Sequence, residues 1–151
     1  MASSTGALDP ATIVELTRLQ PVKIIVLGGT GAVSSAVLTS LVPYATSHAV
    51  VRYAGATRFS TAAAISANTF SPGVPVAYVA NAYNFPDALA GAAAAGTVKG
   101  PVLLASSTGA LDPATIAELT RLQPAKIVVL GGAGVVSDAV LNALKPYAVG
   151  P

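Results

Sequence analysis

The chain repeats itself at a fixed offset of 103 residues. Residues 2–45 align without a gap on residues 105–148, and 35 of the 44 positions are identical. The exchanges are mild: Val14 against Ala117, Val22 against Ala125, Ile25 against Val128, Ala32 against Val135. Two of them add charge, Ser35 against Asp138 and Val42 against Lys145. Two stretches this similar must build the same supersecondary unit, which limits the fold more than composition does. Residues 49–104 occur once, so the order is B, A, B′. Any architecture that closes A with one B copy leaves the other without a cognate A.

Each B copy carries the same local signals. Asp9-Pro10 places an N-cap aspartate before a first-turn proline, and Ile13, Leu16 and Leu19 then mark one helical face, until Gln20-Pro21 ends it. Residues 22–27 are a short β-branched run without alternation, as expected of a parallel strand covered on both faces. Gly28-Gly29-Thr30-Gly31 turns the chain, and Ser34 caps a second helix to about Leu41. The second copy repeats this with Asp112-Pro113, residues 125–130, Gly131-Gly132-Ala133-Gly134 and Ser137. In A, strands are expected at 49–53, 75–80 and 101–105, with helices over about 58–68 and from Asp87 through the alanine run.

Strands separated by helix-sized connections form right-handed βαβ units. The expected fold is α/β: an open, mostly parallel sheet with helices on both faces, as a Rossmann-like or toprim-like three-layer repeat module. A closed eight-stranded barrel needs more strands and more chain. By repeat, residues 2–48 are the C-terminal half of one module and residues 49–151 a complete one.

Composition narrows the chemistry. Apolar residues reach 53% and charged ones only 9%, so the surface is kept wet by hydroxyls, amides and backbone, and it invites self-association. The eight basic residues are dispersed, which leaves little to neutralise a run of phosphates; nucleic acid is not an expected partner. Without cysteine there is no disulfide or thiolate metal site, and His48 is the single histidine. No apolar stretch is long enough to insert in a membrane, and the start at Met1 is unlike a signal peptide.

Three clusters could carry function. The turns with Gly28, Gly29, Gly31 and Ser34, and with Gly131, Gly132, Gly134 and Ser137, lie between a strand and a helix. There, backbone N–H groups can face an anion or a sugar, or the turn can be purely structural. The dinucleotide fingerprint is incomplete, because Ser34 stands where a third glycine or alanine belongs and Arg52-Tyr53 where the ribose carboxylate belongs. Second, Arg52 ends a strand and Arg58 begins a helix, an electrostatically poor place for a cation. Each is either an internal ion pair, with Asp87 the best partner, or a guanidinium offered to an anionic polymer. Third, Tyr83 and Asn84 follow a strand end and could stack on and hydrogen-bond a sugar, while Asp87 suits a helix cap. Facing carboxylates, a histidine-dependent triad and a metal-ligand cluster are all missing from the pattern, so no catalysis and no cofactor is expected.

These motifs together resemble the type 2 cell-wall-binding repeat. Its pattern is matched by Arg52-x-x-Gly55-x-x-Arg58-Phe59-x-Thr61-Ala62, by Asn84-Phe85-Pro86-Asp87-Ala88-Leu89-Ala90, by Pro101-Val102-Leu103-Leu104, and by Ile127-Val128-Val129-Leu130-Gly131-Gly132 with Val136-Ser137. The resemblance covers one and a half repeats. It implies a secreted or surface protein held non-covalently on the Gram-positive wall by an anionic secondary wall polymer such as a teichoic acid. It also implies association with other copies of the repeat, as a homo- or pseudo-trimer or by swapping. The implied polymer contacts are the two glycine turns with Arg52 and Arg58. Two rivals remain: a structural module that trimerises without touching polymer, and a nucleotide-binding enzyme.

Overall fold

The structure, a computed structural model, describes residues 7–150, and of Phe85 only the backbone. The fold is α/β, with parallel sheets flanked by helices. It divides between Ala56 and Thr57 into two compact units.

The first unit contains α1 (Pro10–Leu19), β1 (Lys23–Leu27), α2 (Ser35–Leu41) and β2 (Ala49–Tyr53). Helix α1 starts where the signals place it: Asp9 Oδ1 accepts from the Ala11 N–H at 2.9 Å, and Pro10 needs no N–H in the first turn. It stops where Gln20 enters the left-handed region at φ 43° and Pro21 follows. β1 and β2 pair in parallel, with Lys23 opposite Ala49 and Leu27 opposite Tyr53. A small core of Val26, Val37 and Leu41 holds the unit together.

The second unit contains α3 (Arg58–Ala67), β3 (Val76–Asn81), α4 (Phe85–Thr97), β4 (Val102–Ala105), α5 (Pro113–Leu122), β5 (Lys126–Val129) and α6 (Asp138–Leu144). Helix α3 opens on a capping box: the Ser60 N–H donates to Thr57 Oγ1, and the Thr57 N–H donates to Ser60 Oγ. The strands pair in parallel in the order β4-β3-β5. Leu103, Leu119, Leu122, Val79, Val140 and Leu144 are almost completely buried in its core.

The expected single open sheet is therefore two separate ones, of two and three strands. β2, although it follows the repeated segment, pairs with β1. The expectation that each B strand is covered on both faces fails for β1, where Ile25 and Leu27 are 45% and 52% exposed. Helix α4 begins at Phe85 rather than Asp87; Asn84 takes the cap position without a side-chain cap bond, and Asp87 falls in the first turn. No helix among the described residues is long and apolar enough to cross a membrane.

Candidate functional site

The first glycine turn leaves β1 through Gly28, whose φ of 103° is strained for any residue with a Cβ. Its N–H donates to the Tyr53 carbonyl at 2.9 Å, extending the ladder by one rung. The Gly29 carbonyl then accepts from both Ala32 and Val33, folding the loop into a compact turn, and Ser34 Oγ caps α2 by accepting from Val37 N–H at 3.3 Å. Gly29, Thr30 and Gly31 are not needed as donors inside this turn, and Thr30 and Gly31 are exposed.

Arg52 braces this turn from β2. Its Nη1 donates to the Gly28 carbonyl at 2.5 Å, and its Nη2 to the carbonyls of Val33 at 2.7 Å and Ser34 at 3.4 Å. The parallel pairing explains the reach, because Arg52 lies opposite Val26, two residues before Gly28. Thus the turn's carbonyls are drawn onto a half-buried cation. Structure brings Gly28, Ser34 and Arg52 together, and Arg52 has internal carbonyl partners rather than a carboxylate.

The second turn reproduces the backbone. Gly131 has φ 96°, the Gly132 carbonyl accepts from Val135 and Val136, and Ser137 Oγ accepts from Val140 N–H at 3.4 Å. Its surroundings differ. Asn81, buried at the end of β3, donates through Nδ2 to Ser107 Oγ and to the Val135 carbonyl, each at 2.6 Å, and accepts from the Tyr83 N–H at 2.7 Å. The Ser137 N–H donates to the Ser107 carbonyl at 2.9 Å. Asp87 also reaches this turn: a Cβ built on Gly131 would stand 2.7 Å from Asp87 Oδ2. An arginine braces the first turn; an amide and a carboxylate adjoin the second.

Arg58 and Tyr83 form the third cluster. Arg58 donates to the Ala82 carbonyl at 2.8 Å, and its guanidinium carbon lies 4.8 Å from the Tyr83 ring centre. Phe59 meets the same ring edge-on at 6.2 Å. Of the two alternatives for the arginines, the ion pair with Asp87 is not made among the described residues, whose ion pairs are Glu15–Arg18 and Glu118–Arg121. Tyr83 and Asn84 are exposed, leaving them open to a ligand. The two described grooves, about 340 Å³ beside Tyr44 and about 390 Å³ between α3 and α5, contain none of these residues.

Asn81 is the residue that the sequence reading passed over. A signal existed: it is the one polar residue closing the otherwise apolar strand β3, beside a loop already singled out for Tyr83 and Asn84. A buried amide at a strand's C-terminal end is costly unless its hydrogen bonds are made, so it marks a junction.

The family model described as cell wall binding domain 2 (CWB2) matches residues 52–141. Among solved structures, Cwp8 from Clostridium difficile is 26% identical with a TM-score of 0.78, over 95% of this chain and 24% of that one. Cwp6 from Clostridium difficile is 23% identical with a TM-score of 0.84, over 97% of this chain and 23% of that one. The chain thus spans about a quarter of the length of either protein. No curated protein matches it.

Proposed function

From the premise that the chain belongs to the cell wall binding domain 2 family, and is a non-catalytic cell-wall-binding module at the cell surface, we propose how it holds the wall. The ligand is an anionic secondary wall polymer, bound non-covalently, and the first glycine turn is its principal contact. The observation that carries this is the division of labour at that turn. Arg52 neutralises the carbonyl side, which leaves the amide side of Gly29, Thr30 and Gly31 for a phosphate or carboxylate. Gly131, Gly132, Gly134 and Ser137 offer the same backbone beside the Asp87 carboxylate, and so bind an anion more weakly. Arg58, Tyr83 and Asn84 supply a cation and an exposed ring for the polymer's sugars.

In this account the repeat is a Rossmann-like or toprim-like three-layer module, and residues 2–48 and 49–151 are half and whole repeats. Association with further copies of the repeat is a second reading, favoured by α4, whose exposed face carries Pro86, Leu89, Ala90 and Ala93, with Leu89 66% exposed. Such an apolar helical stripe suits a homo- or pseudo-trimeric contact.

Purified cell walls separate these readings. The chain should sediment with walls, detach progressively as salt rises, and fail to bind walls stripped of secondary polymer. Undiminished binding to stripped walls would remove the polymer from the account and leave the associating module.

A further inference from the structure

The two B copies share their sequence but not their surroundings. Leu122 on α5 is completely buried, whereas its counterpart Leu19 on α1 is 54% exposed. Helix α5 buries Thr115, Glu118, Leu119 and Leu122, and α1 buries none of its residues. Thr115 Oγ1 donates to the Leu104 carbonyl at 2.7 Å and Arg121 Nη2 to the Phe70 carbonyl at 2.9 Å. Their counterparts are Thr12 and Arg18, and among the described residues Arg18 pairs only with Glu15 on its own helix.

The strand edge shows the same contrast. Lys126 N–H donates to the Pro75 carbonyl at 3.1 Å and Leu130 N–H to the Val79 carbonyl at 2.8 Å, so this edge of β5 is sealed by β3. In β1 the Gly28 N–H faces β2. By the two-residue period of a strand, Lys23, Ile25 and Leu27 direct theirs to the opposite edge, where no strand pairs among the described residues. All three residues are exposed. An apolar edge of this kind is a template for strand addition.

We infer that the outer edge of β1 and the adjoining face of α1 form a docking surface for a polypeptide segment of the same type as residues 57–104. The occupant's chemistry is read from the second unit, where a near-identical B segment already holds such a segment. It supplies an apolar strand in the register of Val76–Val79, set against Lys23–Val26, and a helix like α3 against Val14, Glu15 and Arg18, the counterparts of Ala117, Glu118 and Arg121. A second copy of this chain does not meet the need, since its own such segment is engaged by its own α5 and β5. Exchanging one B copy for another gains no contact. The ligand is therefore a repeat segment without a B partner of its own. This surface adjoins the first glycine turn, because Asn81 and Asp87 of the segment held at β5 reach the second one.

Hydrogen exchange on the full chain tests this, with a polypeptide of residues 57–104 added in trans. A second form joins the same segment to Ala2 as Leu104 is joined to Ala105. The Lys23, Ile25 and Leu27 amides should slow at least ~10-fold in one or both forms. Leu19→Asp together with Ile25→Lys should abolish the slowing, while exchange at β5 stays unchanged. Fast exchange at β1 in both forms would overturn the inference. So would protection of β1 in the unmodified chain that rises with concentration alongside a doubled mass, which would make a second copy the occupant.

Discussion

Asp87 places a carboxylate oxygen 2.7 Å from the position a Cβ would take on Gly131, whereas Arg52 donates to the carbonyl of Gly28, the residue equivalent to Gly131. Two turns of nearly the same sequence thus differ in the sign of the charge beside them. That difference decides which of them suits an anion.

Removing the carboxylate should make the turns alike. Asp87→Asn keeps the side chain's size and deletes one negative charge, an effect on the order of 1 kcal/mol for a partner ~4 Å away in a water-like medium. The expected outcome is a roughly 5-fold gain in phosphate affinity at Gly132–Gly134 at low salt, fading at high salt. Phosphate titrations followed by amide chemical shifts check it. No gain at either ionic strength contradicts the proposed role of the charge.

Arg52 is expected to act through the turn's shape. Arg52→Lys keeps the charge but cannot bridge the carbonyls of Gly28 and Val33 at once. It should destabilise the first unit by about 1–3 kcal/mol, the range for losing hydrogen bonds to a charged group. Polymer binding should fall with it, although net charge is preserved. Urea unfolding beside a binding isotherm checks both effects; full binding in the lysine variant would show that charge alone suffices.

The buried and exposed ion pairs offer an internal control. Glu118 is buried and accepts from both Nε and Nη2 of Arg121, which also reaches the Phe70 carbonyl. Glu15 and Arg18 form the same pair in solvent. Glu118→Gln should cost about 1–2 kcal/mol, reduced from the fully buried case because a third of the Arg121 side chain is exposed. Glu15→Gln should change stability far less. Arg18 holds the Glu15 carboxyl below its ordinary value, so its small contribution is present above the unfolded pKa and lost as pH falls through the folded one. Denaturant midpoints at neutral and acid pH check the comparison.

Truncation at the paired leucines separates packing from sequence. Leu122→Ala removes a completely buried side chain and should cost about 2–5 kcal/mol. Leu19→Ala removes a half-exposed one and should cost a fraction of that. Equal losses would mean that α1 is covered as α5 is.

Much of the fold was legible because its signals are local. Asp9-Pro10, Gln20-Pro21 and the glycine turns punctuate the chain at short range, and α1, β1 and α2 lie where those signals put them. The division into two sheets was not legible, since the pairing of β2 with β1 depends on contacts absent from any local window. At the site, the glycines with Ser34 and the arginine pair stand out in the sequence as separate motifs, and the pairing of β2 with β1 brings Arg52 to Gly28. What Arg52 does is not decided by sequence, because guanidinium donors fit carbonyls and anions alike. Asp87 suits either a helix cap or an arginine partner by sequence, and its approach to Gly131 depends on how α4 packs against β3.

Amide chemical shifts during titration with purified secondary wall polymer bear most directly on the central claim. The account predicts saturable shifts concentrated at Gly29, Thr30 and Gly31, with weaker ones at Gly132 and Gly134, all diminishing as salt rises. Tight polymer binding that leaves both glycine turns unperturbed would contradict it.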